Sequence, residues 1–381
     1  MENKRTKICF VNGTGPNFLG GISLYQKNLI KYIKSRDKNV EITLLYKSDK
    51  YEKYEKEGIN YLGIKTKKIL FIDDILFNKK CKKYLEENYF NIINSHAIYG
   101  YWMKNYKRGG NQKIIHTYHG AGYSYYKVHL RRFGLIKKIF LSPLLLYSYL
   151  IEKPPIKKAD KIICVSEKVK RQIENTYSKR KNLFVIRTGV NLKEFKLKNK
   201  SLSKKELNLE KDKVYGLYVA RGGYWIKGLD RAVNISEEIY KINNNYRLIV
   251  IGAEYKKVKN IIKNKRFLIF LKDIPREKMN HYYSASDLFF CLSRYEGGAP
   301  TLVTSEAMAS GCPVICSKDS EQEIIKNGQN GLIIEKFDRK DAEIVINLLN
   351  DKRREIIKNA IETIKKLSLE KWGEKYMDIL K

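Results

Sequence analysis

Residues 294–317 read RYEGGAPTLVTSEAMASGCPVICS, the part of the chain richest in groups suited to holding an anion. The middle of this stretch has the pattern of a helix with Pro300 at its first position and Gly311 just past its last, because proline tolerates the first turn and glycine the exit. The turn through Gly297, Gly298, Ala299, Pro300 and Thr301 then lies directly before a helix N-terminus. Backbone N–H groups and the helix dipole there favour a negative ligand, for which a nucleotide diphosphate is a natural candidate. The same glycines equally suit a plain tight turn, and the loop alone does not choose between the two. A second candidate is VARGGYWIKG, residues 219–228, where Arg221 and Lys227 follow a strand. Two cations at the mouth of a sheet can neutralise a departing diphosphate, a role that a metal ion fills in other phosphate-handling sites. No Asp-x-Asp pair occurs in the chain. In so basic a sequence, a lone Arg or Lys is more often solvated surface than a ligand.

Other reactive side chains carry less. His116 and His119 fall on a strand and its end, where residues three apart face opposite ways, which argues against a shared metal. His96 and His129 have no motif around them and read as structural. The six cysteines, Cys9, Cys81, Cys164, Cys291, Cys312 and Cys316, are scattered among apolar neighbours, as expected of buried thiols in a reducing compartment. Cys312 and Cys316 lie along one strand, where positions four apart stand roughly 13 Å from each other, too far to share a zinc ion. The glycines of GTGPNF, residues 13–18, suggest a dinucleotide loop, but Phe18 stands where the third glycine belongs, Pro16 intrudes, and no acidic residue promptly ends the next strand. A nicotinamide dehydrogenase is therefore disfavoured.

The elements that must position these groups follow a strand-then-helix rhythm. Short apolar segments at 7–12, 40–46, 92–94, 113–117, 161–165 and 183–187 alternate with helical or polar stretches, and 22–34 has apolar residues at helical spacing. From about 190 to 212 the chain is charge-rich and has no convincing buried strand, so a domain connection belongs there. The rhythm restarts at 214–220, 246–252, 267–271, 288–293 and 313–317. This predicts an α/β protein with two doubly wound parallel-sheet domains, whose ligands bind at loops that follow strands. A chain of 381 residues is long enough for two cores.

Composition bounds the rest. With 43% hydrophobic and 31% charged residues and seven prolines, the chain is globular rather than fibrous or disordered. The N-terminus lacks the long apolar core and small-residue cleavage site of a secretory signal, and the longest apolar run, 139–151, is broken by Pro143 and falls short of the roughly 20 residues of a membrane span. A cytoplasmic location is expected, with peripheral contact at the inner face of the membrane as a candidate. The net charge of +35 implies a positive field that attracts anions, whether nucleotides, lipid headgroups or nucleic acid, and a coding bias toward Lys, Asn, Ile and Tyr explains it equally well. Residues 126–158 mix cations with an apolar stretch that suits either an anionic membrane surface, presenting a lipid-linked acceptor, or a helix packed in the first domain with solvated lysines; the packed helix is slightly favoured.

Taken together, the motifs resemble the retaining glycosyltransferases built from two Rossmann-like domains facing across a cleft (GT-B), in particular glycosyltransferase family four (glycosyl transferases group 1). The resemblance runs through FLGGISLY after the first strand, YHG at 118–120, ADKIICVSEKV at 159–169, FVIRTGVNLKEF at 184–195, Arg221 with Lys227 and Gly228, LIVIG, YYSASDLFFCLSRYEG and SEAMASGCPVI. Their order and spacing are jointly specific where each alone is weak. The resemblance implies an acceptor-side domain over 1–190, a nucleotide-sugar-binding domain over 191–360, and a C-terminal helix over 361–381, around Trp372, that crosses back to the first domain. It implies a metal-independent, retaining hexosyltransferase without cofactor, acting between a nucleotide-sugar and a glycan, lipid-linked or small-molecule acceptor in surface glycan synthesis. Arg221 and Lys227 would bind the donor diphosphate, Glu306 the ribose hydroxyls, and His119 would sit by the transferred sugar. Gly20 and Gly21 would let the first loop approach donor and acceptor closely. The family usually places two glutamates eight positions apart; here Glu296 and Glu306 are ten apart, so strict counting lands on Gly298 and Glu296 reaches the sugar only through a bulged loop. TGVN at 188–191 also departs from the usual Asn-Gly-Val-Asp.

Two other readings remain open on sequence. A nucleotide-sugar epimerase or glycan phosphorylase would share the architecture, although no cofactor-lysine motif appears for the latter. A basic nucleic-acid- or membrane-binding protein would rest on charge alone, with no helix-turn-helix, zinc-finger or RNA-platform motif, and no nucleic-acid partner is expected.

Overall fold

The computed structural model describes residues 5–15, 20–67, 69, 72–220, 222–252, 258, 260–261, 263, 265–272 and 274–380. The chain divides into two compact units, one of Met1–Arg187 with Gly373–Lys381, the other of Thr188–Trp372.

In the first unit the described elements are β1 (Thr6–Val11), α1 (Gly21–Arg36), β2 (Val40–Ser48), β3 (Glu52–Lys56), β4 (Ile59–Lys65), α2 (Ile72–Glu87), β5 (Ile92–His96), β6 (Lys113–Tyr118), α3 (Gly122–Leu130), α4 (Leu135–Leu141), α5 (Pro143–Lys158), β7 (Lys161–Cys164), α6 (Glu167–Thr176) and β8 (Leu183–Val185), with a 3-10 segment at Ala97–Met103. The strands form one sheet in the order β3-β4-β2-β1-β5-β6-β7-β8. Every neighbouring pair is parallel except β3 with β4.

The β3–β4 hairpin was not legible as strands because β3 is a charged edge strand whose residues are mostly exposed. An alternating apolar face is what a sequence pattern detects, and an edge strand carrying Glu and Lys has none. Its turn is made by Glu57 and Gly58, both at positive φ, the geometry that matches the twist of a two-residue hairpin.

The stretch favoured as a packed helix, 126–158, divides. Residues of α5 such as Ile151 and Ile156 are buried, as expected, whereas α4 buries none of its residues.

The second unit contains α7 (Lys200–Glu206), β9 (Val214–Val219), α8 (Leu229–Ile242), β10 (Tyr246–Ile251), β11 (Leu268–Leu271), α9 (Arg276–Ala285), β12 (Leu288–Cys291), α10 (Leu302–Ala309), β13 (Val314–Ser317), β14 (Leu332–Ile334), α11 (Arg339–Asn347) and α12 (Arg353–Lys365). A further helix, α13 (Leu369–Leu380), carries the chain from the second unit into the first. The sheet order is β11-β10-β9-β12-β13-β14, all parallel.

Alternation along the strands builds a core on each face of this sheet. Leu248, Val250, Leu288 and Phe290 join one apolar cluster with Leu229 and Val233 of α8, while Ile249, Ile251, Phe289 and Cys291 join another with Ala307 and Met308 of α10. Successive side chains of a strand point to opposite faces, so a doubly covered strand reads as a continuous apolar run. Residues 373–380 belong to the first unit, where the buried Tyr376 hydroxyl accepts a hydrogen bond from Asn94 and meets Thr117 at 3.0 Å.

In both sheets the strand order reverses at the first strand of the unit, β1 or β9. Ligands of such sheets bind beyond the carboxyl ends of the strands at that reversal. The loops so placed are those after β1 and β5 in one unit and after β9 and β12 in the other.

Candidate active site

In the second unit, β9 and β12 are neighbours, so the loops leaving them adjoin. They are joined at several points. The Arg294 N–H donates to the Ile226 carbonyl at 2.7 Å, and its guanidinium donates to both carboxylate oxygens of Asp230 at 2.8 and 2.6 Å while lying 4.5 Å from the centre of the Trp225 ring. Gly228, at φ 73, ends the first loop; a Cβ there would stand 2.0 Å from the Leu292 carbonyl oxygen, so the close approach of the two loops requires glycine.

Lys227 and Glu296 meet across this junction. The ammonium donates to both carboxylate oxygens, at 2.8 and 2.7 Å, and the Ser293 hydroxyl donates to one of them at 2.6 Å. Glu296 is buried and its carboxylate is therefore compensated by a cation and a hydroxyl, as a buried charge must be. Lys227 and Glu296, both expected to be catalytic, thus come together, with the expected donor-binding Gly297 and Gly298 next in the chain. Arg221 lies outside the described residues, as do Pro16–Leu19 of the first-unit loop.

The helix after this turn starts later than its sequence indicates. Pro300 is not its first residue: Thr301 is the N-cap, its hydroxyl accepting from the Thr304 N–H at 3.2 Å, and Leu302 opens α10. A threonine that caps with its own side chain outcompetes the proline preference for the first position. Gly311 does follow the helix, at φ 74. The Thr301 N–H donates to Gln322 Oε1 at 3.1 Å, so among the described residues the amides of the first turn left without a protein acceptor are those of Leu302 and Val303.

Glu306 lies in α10 and is buried. It accepts from Arg276 at 2.9 Å and from the Tyr283 hydroxyl at 3.0 Å, and Arg276 also reaches Glu194 at 2.8 Å while stacking 4.8 Å from the Phe195 ring centre. Burial raises the Glu306 pKa and Arg276 opposes the rise. Sequence reading singled out Glu306 but gave no role to Arg276, which lies outside every motif, or to Tyr283, which lies within YYSASDLFFCLSRYEG without being distinguished from its neighbours. Ser293 and Arg294 were also missed, although both flank Glu296 within three positions.

In the first unit, β1 leads to the loop before α1. Gly20 caps that helix and Gly21 opens it; a Cβ on Gly21 would meet no atom within 4 Å among the described residues, whose packing does not demand a glycine there. His119 follows β6, the strand beside β5, and its Nε2 lies 2.9 Å from Nδ1 of His96, with the Tyr25 ring edge-on at 4.6 Å. Burial pushes the His119 pKa down to about 3 and that of His96 well below its ordinary value, so both rings are neutral at pH 7 and one donates to the other. His96, read as structural, is thus the partner that orients His119. His116 instead pairs with Ser95 at 2.8 Å. All six cysteines are free and buried, and among the described residues no group of three or more His, Cys, Asp or Glu side chains is placed to hold a metal ion.

Comparison with known proteins matches this sequence to a family. The description Glycosyltransferase Family 4 fits residues 19–194 and Glycosyl transferases group 1 fits residues 199–363. The chain is 29% identical over 373 residues to the uncharacterized glycosyltransferase MJ1178 of Methanocaldococcus jannaschii, covering 93% of this chain and 92% of that one. Among solved structures, its fold is similar to sucrose-phosphate synthase from Thermosynechococcus elongatus, with a TM-score of 0.84, 21% identity and coverage of 99% and 98% of the two chains. It is also similar to HepE of Anabaena in complex with UDP-glucose, with a TM-score of 0.73, 15% identity and 99% of each chain covered.

Proposed function

We propose that this chain, which belongs to the glycosyltransferases of group 1 and family four, moves a hexosyl group from a nucleoside diphosphate sugar to an acceptor hydroxyl with retention of anomeric configuration. The observation that carries the reading is the meeting of Lys227 and Glu296 beside the glycine turn before α10, at the strand reversal of the second sheet.

In the reaction, the bond from the sugar's anomeric carbon to the diphosphate breaks with its electron pair remaining on the diphosphate. The acceptor oxygen bonds to that carbon and yields its proton to the departing phosphate. The quantity to be stabilised is the negative charge growing on the leaving group, and fixed positive charge and dipoles do this most effectively. Arg221, Lys227 and the first-turn amides of α10 fill that role, with no metal required. Glu296 fixes the position of the Lys227 ammonium, so a phosphate oxygen approaches a cation whose orientation is already set. Glu306 accepts from the ribose hydroxyls through carboxylate lone pairs beyond those engaged by Arg276 and Tyr283. The neutral His119 ring suits a hydrogen bond to a sugar hydroxyl, and the open space at Gly21 suits a ligand near α1. The acceptor is a glycan, a lipid-linked sugar or a small molecule, in the assembly of surface glycans.

A relative of the same fold holding UDP-glucose makes uridine diphosphate sugars the first donors to try. UDP-, GDP- and ADP-sugars are compared by thermal shift, because a ligand that binds only the native state raises the melting point. The active donor is then assayed for turnover. Arg221→Ala and Lys227→Ala should each lower turnover by about a hundredfold or more and weaken the donor-induced shift. A donor response and turnover unchanged in both variants would place the diphosphate elsewhere.

A further inference from the structure

The helix α4 stands out because nothing among the described residues covers it. Leu135, Ile136, Ile139 and Phe140 are 74%, 87%, 65% and 80% exposed. At 100° per residue these four fall within one arc of the helix, with Lys137 beyond one edge and Lys138 beyond the other. Isolated exposed apolar residues are ordinary; four on one helical face, including an isoleucine and a phenylalanine almost fully in solvent, are not. The exposure continues on α5 at Leu146 and Leu150.

The charge around this face is of one sign. Between Asn88 and Ile151 the sequence contains no Asp or Glu, while Arg131, Arg132, Lys137 and Lys138 flank or interrupt the apolar residues and are exposed. The first acidic residue after the gap, Glu152, is buried and turned inward, its carboxylate accepting from the Gly122 N–H at 2.7 Å and the Tyr177 hydroxyl at 3.0 Å. That bond ties the start of α3 to α5, so the exposed helix is carried between two helices that are fixed to each other. Phe133, just before α4, lies against Arg132 and Lys137 at 4.5 and 4.7 Å, leaving the cations beside aromatic surface.

We propose that α4, with the start of α5, is a docking surface for an anionic phospholipid bilayer. Leu135, Ile136, Ile139 and Phe140 enter the acyl boundary while Arg131, Arg132, Lys137 and Lys138 lie at the headgroups. An apolar face rimmed by cations is the pattern of a helix lying in the interface plane, and each basic residue near an anionic surface strengthens binding by roughly fivefold. No helix among the described residues is long and apolar enough to cross a membrane, so the contact is peripheral at this surface. The proposal does not depend on the sugar-transfer reading.

The full chain is sedimented with phosphatidylcholine vesicles and with vesicles containing roughly one-quarter phosphatidylglycerol. Salt is held at about 150 mM, where long-range attraction from the overall positive charge is largely screened. The wild type should bind the anionic vesicles and not the neutral ones. Ile136→Ser with Phe140→Ser, and separately Lys137→Glu with Lys138→Glu, should each lower the bound fraction about tenfold or more while leaving the melting point unchanged, because α4 has no buried side chain to lose. Equal binding to neutral vesicles would overturn the proposal. So would anionic binding insensitive to the serine pair, which would reduce the effect to net charge, or a wild-type dimer that the serine pair dissociates, which would assign the face to a second copy of the chain.

Discussion

One guanidinium serves two carboxylates in the second unit: Arg276 donates to Glu194 through Nε and to the buried Glu306 through one terminal nitrogen, Nη2. Arginine can do this because its planar fork presents donors in two directions, which a lysine ammonium on a flexible stem does not reproduce. Removing the guanidinium leaves Glu306 with the Tyr283 hydroxyl alone. The carboxyl, already raised by burial, then loses the principal influence holding it down, and its pKa rises further. A carboxyl whose folded pKa lies above its unfolded value is stable at low pH and loses that stability as pH climbs through the interval between the two. Arg276→Met should therefore cost little near pH 5 and roughly 2–4 kcal/mol near pH 8, less than for a fully buried pair because the arginine side chain is 30% exposed. Chemical denaturation of wild type and variant at both pH values measures this. A penalty that is the same at both, or larger at pH 5, would mean that Arg276 matters for packing on Phe195 rather than for the charge of Glu306.

At the scale of elements, the tie between α3 and α5 rests on a carboxyl in an unusual state. Burial raises the Glu152 pKa to about 7, against hydrogen bonds from Gly122, Tyr123 and Tyr177 that pull it down. The native state thus holds a proton that the unfolded chain releases near its ordinary carboxylate value, and stability falls as pH rises from about 4.5 to about 7, then levels. Glutamine has no proton to lose. Relative to wild type, Glu152→Gln should gain stability between pH 5 and pH 8, by at most about 3 kcal/mol from a shift of this size. A wild type that gains on the variant as pH rises would show that the ionised carboxylate is the better partner for the α3 N-terminus. This pairing was invisible in the sequence, where Glu152 looks like any charged residue of a helix. What could be read were elements with a strong local pattern: the buried parallel strands β1, β2, β5, β6, β9 and β10 appear as apolar runs, and both glycine loops follow strands. What could not were features set by long-range contacts. The charged edge strand β3 and the three-residue β14 have too little apolar periodicity. The start of α10 was displaced by one side-chain cap on Thr301. At the site, Lys227, Glu296 and Glu306 were found through their motifs, whereas Arg276 and His96, brought in from elsewhere in the chain, had only the fold to mark them.

For the molecule as a whole, 76 basic residues against 41 acidic ones leave at least 35 cations that no carboxylate in the chain can match. Folding concentrates these like charges and unfolding lets them spread, so the net charge works against the compact state. Added salt acts on two opposing sets of interactions. It weakens repulsion among exposed cations, which extends over many residues, and it weakens attractive pairs such as Lys227–Glu296 and Arg294–Asp230. These pairs are in direct contact at 2.6–2.8 Å and partly buried, and such contacts are screened far less than charges separated by solvent. The Debye length falls from about 30 Å at 0.01 M to about 8 Å at 0.15 M, a range over which long-range repulsion largely disappears while contact pairs persist. The melting point should therefore rise by a few degrees as NaCl is increased across that interval at fixed pH, followed by calorimetry or differential scanning fluorimetry. Sodium chloride is the appropriate salt, because phosphate or sulfate would also bind any anion site and stabilise the chain by mass action. A melting point that falls steadily with NaCl would mean that the contact pairs outweigh the unmatched cations, and that the excess charge is spaced widely enough to cost the fold nothing.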